Sequence, residues 1–431
     1  VERWVQTNQC RGVWIMSRPD TYCPLPWQHL ATHPHGGVTT CCISDHTDGL
    51  NRARNFKGEY DEFLSLNNQT IEQHMNSDYY KEVRKQMLNN EMPKACMRCY
   101  NEEDNGIRSK RDHEKSVFPQ NSANWASGIT REDGSIDMDL RFVELRLGNV
   151  CNVRCRTCNP ASSSKWLDDY RDIVEKADFV NKGYLGLDYP QDFKWAEDDN
   201  FYDDLFESAP NLEVIYINGG EPTLIKQHWT YLKNLVESGR SKNIILWYNI
   251  NCTMLPPIAL ELWPQFKEAR ICLSIDDLAD RNAFIRTSTD WNAVLKTIDT
   301  LKQHEDKLTL RITQTVSAYN YATLPEFFEW ANQIGIEVDM NFVYDPDYLS
   351  PAVIPVKARE LIHTNFRKLM GNDYKLGNLL SMFNNDDEQE LKWEQFCRYN
   401  DLLDINDESD WRQTFSKLKG YVEDAGHTTV Y

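Results

Sequence analysis

The chain has 431 residues, 41% of them hydrophobic, enough to build more than one core. Sixty-six acidic against 47 basic side chains give a net charge of −19, which repels phosphate backbones and anionic membranes and disfavours nucleic acid as a partner. No run approaches the ~20 apolar residues that span a bilayer, and the first 30 residues lack a charged segment followed by an apolar one, so a cytoplasmic protein with no membrane partner is expected.

In chain order, the first feature is a set of cysteines between residues 20 and 112. "YCPLPWQHLATHPHGGVTTCC" holds Cys23, Cys41 and Cys42, and "EMPKACMRCYNEEDNG" holds Cys96 and Cys99. His29, His33 and His35 stand nearby, but their spacing on an expected strand does not make them converge, and no histidine metal site is read there. From residue 142 the chain acquires a rhythm. Apolar, β-rich runs at 142–147, 213–217, 244–250, 270–275, 308–316 and 337–343 alternate with amphipathic segments at 226–238, 257–268, 290–304 and 323–334. Strand starts after the second lie roughly 30 residues apart, the spacing of βα units and of a parallel sheet. Six units are too few for an eight-stranded barrel, which leaves an open (β/α)6 barrel or a doubly wound sheet, with chemistry at the C-terminal ends of the strands. Residues 160–210 read as a helix followed by an acidic, aromatic insertion. Residues 346–431 read as mainly helical, with an acidic "NNDDEQE" loop, and are expected to pack on the open side of the barrel.

Just past the first strand, "VELRLGNVCNVRCRTCNPASS" sets Cys151, Cys155 and Cys158 in a C-x3-C-x2-C loop. In a reducing compartment, clustered cysteines read as metal ligands or redox groups rather than disulfides. Iron–sulfur clusters usually take four thiolates, and structural zinc also takes four ligands. Three cysteines without an obvious fourth ligand therefore leave either one open coordination position or a zinc knuckle completed by a distant histidine. Cys10, Cys252, Cys272 and Cys397 are scattered, and Cys252 and Cys272 read as small buried hydrophobes.

"CNVRCRTC" after a strand, followed by "INGGEPTL" at 217–224 after the next, resembles the paired signatures of radical S-adenosylmethionine (SAM) enzymes. The resemblance continues through "LWYNINCTML", "ICLSIDDLADRNAFIRTST" and "ITQTVSAYNYATLPEFFEWA", and so covers about 136–345. It implies an α/β fold with a partial (β/α)6 barrel, and a [4Fe–4S] cluster on Cys151, Cys155 and Cys158 whose open iron is chelated by SAM. Cleavage of SAM would then give a 5′-deoxyadenosyl radical that abstracts hydrogen from a substrate. The glycines of the turn, Gly219 and Gly220, permit close backbone approach to the SAM ammonium, and Glu221 and Pro222 fix the turn. Asn249, Asn251, Ser274 and Asp276 at strand ends suit ribose hydroxyls, and Arg286 resembles the arginine that meets the SAM carboxylate. The residue before the third cysteine, often aromatic in the family, is Thr157 here, so adenine packing must come from elsewhere. No catalytic side chain is assigned.

Residues 20–112 resemble the auxiliary-cluster region called SPASM or twitch, placed before the barrel instead of after it. This implies a second [4Fe–4S] cluster on Cys23, Cys41, Cys96 and Cys99. Gly36, five residues before Cys41, favours Cys41 over Cys42, and a four-cysteine zinc ribbon is the alternative. The expected domains are 1–135 for the auxiliary cluster, 136–345 for the barrel and 346–431 for the helical extension. The resemblance implies a peptide or protein substrate and a reducing partner such as a flavodoxin or ferredoxin. Alternatives are a carbohydrate or small-metabolite dehydrogenase or epimerase and, from another class, a non-catalytic iron–sulfur electron carrier or zinc scaffold.

Overall fold

The computed structural model describes residues 4–5, 15–16, 20–58, 60–118, 122–371 and 388–430. Its main sheet contains β1 (His29–Thr32), β2 (Val38–Thr39), β3 (Phe142–Arg146), β4 (Val214–Asn218), β5 (Ile245–Ile250), β6 (Glu268–Ser274), β7 (Leu308–Val316) and β8 (Glu337–Phe342). Strands β3 to β8 lie side by side in chain order, each parallel to the next. That order has no reversal, so the sheet is wound in one sense, as in a partial (β/α)6 barrel, and the doubly wound alternative is set aside. The six sequence-predicted strands sit within two residues of their expected ends.

Alternation along the strands shows which face is covered. Ile215, Ile217, Leu246, Tyr248, Ile250, Ala269, Ile271 and Leu273 are buried, while Tyr216, Trp247, Asn249, Arg270 and Cys272 between them are half-buried. A parallel sheet covered on both faces reads as a continuous apolar run. Here one face carries the core and the other is half-buried, with polar and aromatic side chains. Cys272, expected as a core hydrophobe, lies on that polar face opposite Asn249. The helices Lys226–Glu237, Trp291–Lys302 and Leu324–Gln333 match their predicted spans. The one predicted over 257–268 stops at Leu262 and tightens into a 3-10 turn, Trp263–Gln265. Pro264 has no N–H for the next helical bond, and β6 begins only three residues after that turn.

The N-terminal part is not a separate layer. β1 adds to the edge of the barrel sheet, pairing parallel with β3 in the register His29↔Phe142, Leu30↔Val143 and Ala31↔Glu144. The expected boundary at 135/136 therefore does not divide the sheet, and one continuous core runs through both parts. The buried Arg84 staples this region by donating to the carbonyls of Pro26 (2.9 Å), Met75 (2.7 Å) and Gly134 (3.3 Å). The C-terminal part is mainly helical, with Val356–Met370, Gln389–Asp407 and Ser416–Asp424. Most of the predicted "NNDDEQE" loop, and Cys10, lie outside the described residues.

Candidate active site

Leaving β3, the chain turns at Gly148 and forms the cysteine loop. The loop is held by its own polar groups: Asn149 donates to Pro160 O (2.8 Å), Ser163 Oγ to Val153 O (2.8 Å), and Ser164 N to Asn149 O (2.7 Å). Arg154–Cys155 forms a short antiparallel ladder with Arg286–Thr287, and Trp166 Nε1 donates to Cys155 O at 2.9 Å. Burial pushes the thiols of Cys151, Cys155 and Cys158 up from their ordinary range, Cys158 to about 11, while the Arg286 guanidinium opposes the rise at all three. Arg286 is thus the cation felt by all three thiols of the loop. Its Nη1 donates to the fully buried Asp276 carboxylate at 3.1 Å, and its buried Nε has no hydrogen-bond partner among the described residues.

The glycine turn after β4 meets this loop from the next strand. Gly219 and Gly220 have φ of +85° and +50°, and a Cβ on them would stand 2.7 Å from the Arg146 carbonyl carbon and 2.4 Å from Val150 O. What the glycines approach is therefore the backbone of the cysteine loop, a role the sequence reading did not assign them. Glu221 N donates to Val150 O at 2.8 Å, and its buried carboxylate accepts from Thr223 Oγ1 (2.6 Å) and Asn251 N (2.7 Å). Pro222 opens the 3-10 turn that follows. Glu221 thus ties the cysteine loop to the end of β5.

The candidate ribose residues separate into free and occupied groups. Asn251 is occupied: its Nδ2 donates to Asn152 Oδ1 (2.8 Å) and its Oδ1 accepts from Thr253. Asp276 is also occupied, accepting from Arg286 and from Thr315 N (2.8 Å). Asn249 lies on the polar face, donates to Tyr216 Oη (3.0 Å) and keeps an unpartnered Oδ1. Ser274, opposite Thr313 at the end of β6, is half-buried.

Two residues inside the motif were not singled out from the sequence. Arg156, whose side chain is 1% exposed, reaches the helix Gln389–Asp407, donating to Asn400 Oδ1 (3.1 Å), Asp404 Oδ1 (2.8 Å) and Asp407 Oδ2 (3.0 Å). Arg154 bonds Asp169 and Asp407. The cysteine loop is therefore clamped from the C-terminal part of the chain. Two arginines alternating with the cysteines in "CNVRCRTC" were the available signal, but their partners on the helix Gln389–Asp407 lie some 250 positions away.

The N-terminal cysteines form a different site. Cys23, Cys41, Cys96 and Cys99 line one cavity together with Leu25, Met87 and Arg111. A single metal ion needs its ligands to meet at ~2.3 Å from one point. Among the described residues no three His, Cys, Asp or Glu side chains meet in that way, and these four thiols stand around a space instead. Cys96 and Cys99 fall at the start of the helix Met97–Asp104, where the helix dipole favours thiolate. Burial pushes the Cys96 thiol up to about 12, opposed by Arg111. Arg111 is held in place by Glu103 and by Tyr22 O (2.9 Å). Cys42 lines a neighbouring cavity with His33 and His35, its side chain in hydrogen-bond contact with that of Cys41. Those two histidine rings stack 5.4 Å apart at 14°. Only His29 lies on the strand; His33 opens the turn that leaves it and His35 lies within that turn.

Residues 23–100 match the model of the SPASM iron–sulfur cluster-binding domain. No curated protein matches the chain. Among solved structures, the chain is similar to native anSMEcpe with bound AdoMet, at 15% identity and a TM-score of 0.36, over 53% of this chain and 59% of that one. It is also similar to Streptococcus suis SuiB bound to S-adenosylmethionine, at 13% identity and a TM-score of 0.33, over 75% of this chain and 66% of that one. The chain thus spans less than two thirds of either protein. Within the SPASM segment, Cys41 lines the same cavity as Cys23, Cys96 and Cys99, while Cys42 lines the neighbouring one. The described cysteines supply ligands for one cluster there.

Proposed function

We propose that the chain is a radical SAM enzyme with one auxiliary cluster, acting on a peptide or protein side chain. The observation that carries this reading is Arg286: a buried guanidinium beside three cysteines of one loop, with an Nε that nothing in the described chain satisfies. A buried donor without a partner is costly, and an anionic group arriving at the cysteine loop would satisfy it. Cys151, Cys155 and Cys158 would hold a [4Fe–4S] cluster, and Cys23, Cys41, Cys96 and Cys99 a second. When bound, the loop cluster supplies an electron to SAM, whose cleavage yields methionine and a 5′-deoxyadenosyl radical that abstracts hydrogen from the substrate.

The chain's own residues do the positioning. Arg286, oriented by Asp276, would hold the SAM carboxylate by charge-assisted bonds. Asn249 and Ser274 would accept from or donate to its ribose on the polar face. Glu221 and the glycine turn would keep the cysteine loop seated against β4. Peptide substrates are favoured by the resemblance of a SPASM segment joined to a C-x3-C-x2-C loop, and a reducing partner such as a flavodoxin or ferredoxin would supply the electron. The test is anaerobic reconstitution: with dithionite, the protein should release 5′-deoxyadenosine from SAM. A reconstituted protein that binds iron at both sites and releases none is an electron carrier, and the reading fails.

A further inference from the structure

Between the two cysteine sites lies a cavity whose walls come from both. Cys42, next to Cys41, lines one side, and Asn159, next to Cys158, lines the other. The charged groups of its wall are unevenly matched. The Arg52 side chain makes no hydrogen bond or ion pair among the described residues; its buried Nε is unpartnered and its flat face rests on the Phe63 ring at 4.9 Å. Asp192 stands near enough to be felt by Arg52 and His35 without pairing with either, and Asp345 lines the far side beside Tyr184. Arg146, at the end of β3, has Glu144 as its nearest carboxylate, at 3.8 Å.

The site is also built locally. A Cβ at Gly37 would stand 2.8 Å from Arg52 Nε and 2.9 Å from His35 Cε1, so the absence of a side chain there is what lets the guanidinium and the imidazole lie together. His33 Nε2 is buried and unpartnered as well. Burial first, and then neighbouring cations, hold His33 down to about 3 and His35 to about 4. Near neutral pH the imidazoles are therefore uncharged, and the positive charge of the wall rests on the arginines. In a chain of net charge −19, a half-buried guanidinium whose buried Nε has no partner and which pairs with no carboxylate among the described residues is a cost that folding alone does not explain.

We propose that this cavity receives a carboxylate of the substrate, held by Arg52 and Arg146, so that the enzyme selects a peptide by an acidic side chain or a chain terminus placed between the two cysteine sites. The proposal rests on the radical SAM reading for what the bound group is presented to, and on the cavity alone for its charge. A guanidinium and a carboxylate form the strong, planar pairing this geometry leaves unfilled.

The experiment uses the full chain, anaerobically reconstituted and saturated with SAM, and measures binding by ligand-observed NMR. The probes are N-acetylglutamic acid α-amide for a side-chain carboxylate, N-acetylalanine for a terminal one, and N-acetylglutamine amide as the neutral control. At least one carboxylate probe should bind tenfold or more tightly than the neutral control, and which one binds identifies the source. Arg52→Gln should remove that difference and Arg52→Lys restore part of it. Arg146→Gln should weaken the same probe by tenfold, and it decides the matter if the Arg52 variants do not fold. Equal binding of charged and neutral probes, or folded variants of both arginines that bind like the parent, would overturn the proposal. Release of 5′-deoxyadenosine by the parent protein is scored separately. If release is absent while arginine-dependent binding is present, the radical reading falls and the carboxylate site stands.

Discussion

The loop after β3 takes its three thiols from eight consecutive residues, whereas the N-terminal cavity gathers four from three segments between Cys23 and Cys99. The difference lies in what completes each site. Around the N-terminal cavity, four cysteines equal a full ligand set, and Arg111, the nearby cation, is already paired with Glu103. At the loop, three cysteines fall one short, and Arg286 keeps a donor unsatisfied. A site whose ligands are all protein is closed and suits electron transfer or structure, while a site short by one, with an unfilled cationic donor beside it, is open to a ligand.

The comparison breaks first at the loop. Replacing Cys151, Cys155 and Cys158 by alanine should lower iron from about eight to about four per reconstituted chain and abolish release of 5′-deoxyadenosine. Retained cleavage would remove the open site from the loop altogether. At the closed site the structure sharpens the choice between neighbours. Cys41→Ala should lose about half the iron, whereas Cys42→Ala should keep about eight per chain, because Cys41 lines the cavity of the other three cysteines and Cys42 lines the one beside it. Equal losses would mean that the two cysteines share the ligand role. Zinc bound there after both aerobic and anaerobic preparation would favour the ribbon alternative.

Much of this arrangement was legible in the sequence because its signals are local. Strand and helix periodicity gave six strands and three of four helices within about two residues, and Cys23, Cys41, Cys96 and Cys99 line one cavity. The unread parts depend on contacts between distant segments. Gly219 and Gly220 look like a ligand-binding turn in one dimension, but the backbone they accommodate is that of residues 146–150. Asn251 and Asp276 look free at strand ends, yet each is consumed by neighbours from other strands or loops. Arg154 and Arg156 give no hint of the helix that receives them.

Gly220→Val tests the first of these corrections. If the turn served only SAM, iron would be unchanged. With a Cβ placed 2.4 Å from Val150 O, one residue before Cys151, the loop must shift, and the variant should lose loop iron and the SAM-dependent change in its electron paramagnetic resonance spectrum together. Loop iron at parental levels would restore the narrower role. Arg156→Met tests the clamp: it leaves Asp404 without its buried cation and Asp407 with Arg154 alone, at a cost of about 3–5 kcal/mol, read as a fall in melting temperature that should also loosen the loop site before the N-terminal one. A melting temperature within a degree of the parent would show that the helix Gln389–Asp407 does not brace the loop.

The smallest effect should separate the two asparagines at the end of β5. Asn249 keeps an unpartnered Oδ1 on the polar face, while Asn251 is spent on Asn152 and Thr253. A hydroxyl of the nucleoside donating to Asn249 Oδ1 is a neutral hydrogen bond worth about 0.5–1.5 kcal/mol, so Asn249→Ala should weaken SAM binding by about two- to tenfold with iron content unchanged. Asn251→Ala removes contacts inside the protein instead: it takes the donor from Asn152 Oδ1, next to Cys151, leaving Asn152 bonded only to Thr253, and should lower loop iron and stability before it touches affinity. Both quantities can be read on one reconstituted sample, iron by colorimetry and SAM affinity by titrating the change in the reduced cluster's spectrum. If Asn251→Ala alone weakens SAM at full iron content, the ribose contact belongs to Asn251, and the free amide on the polar face faces the substrate instead.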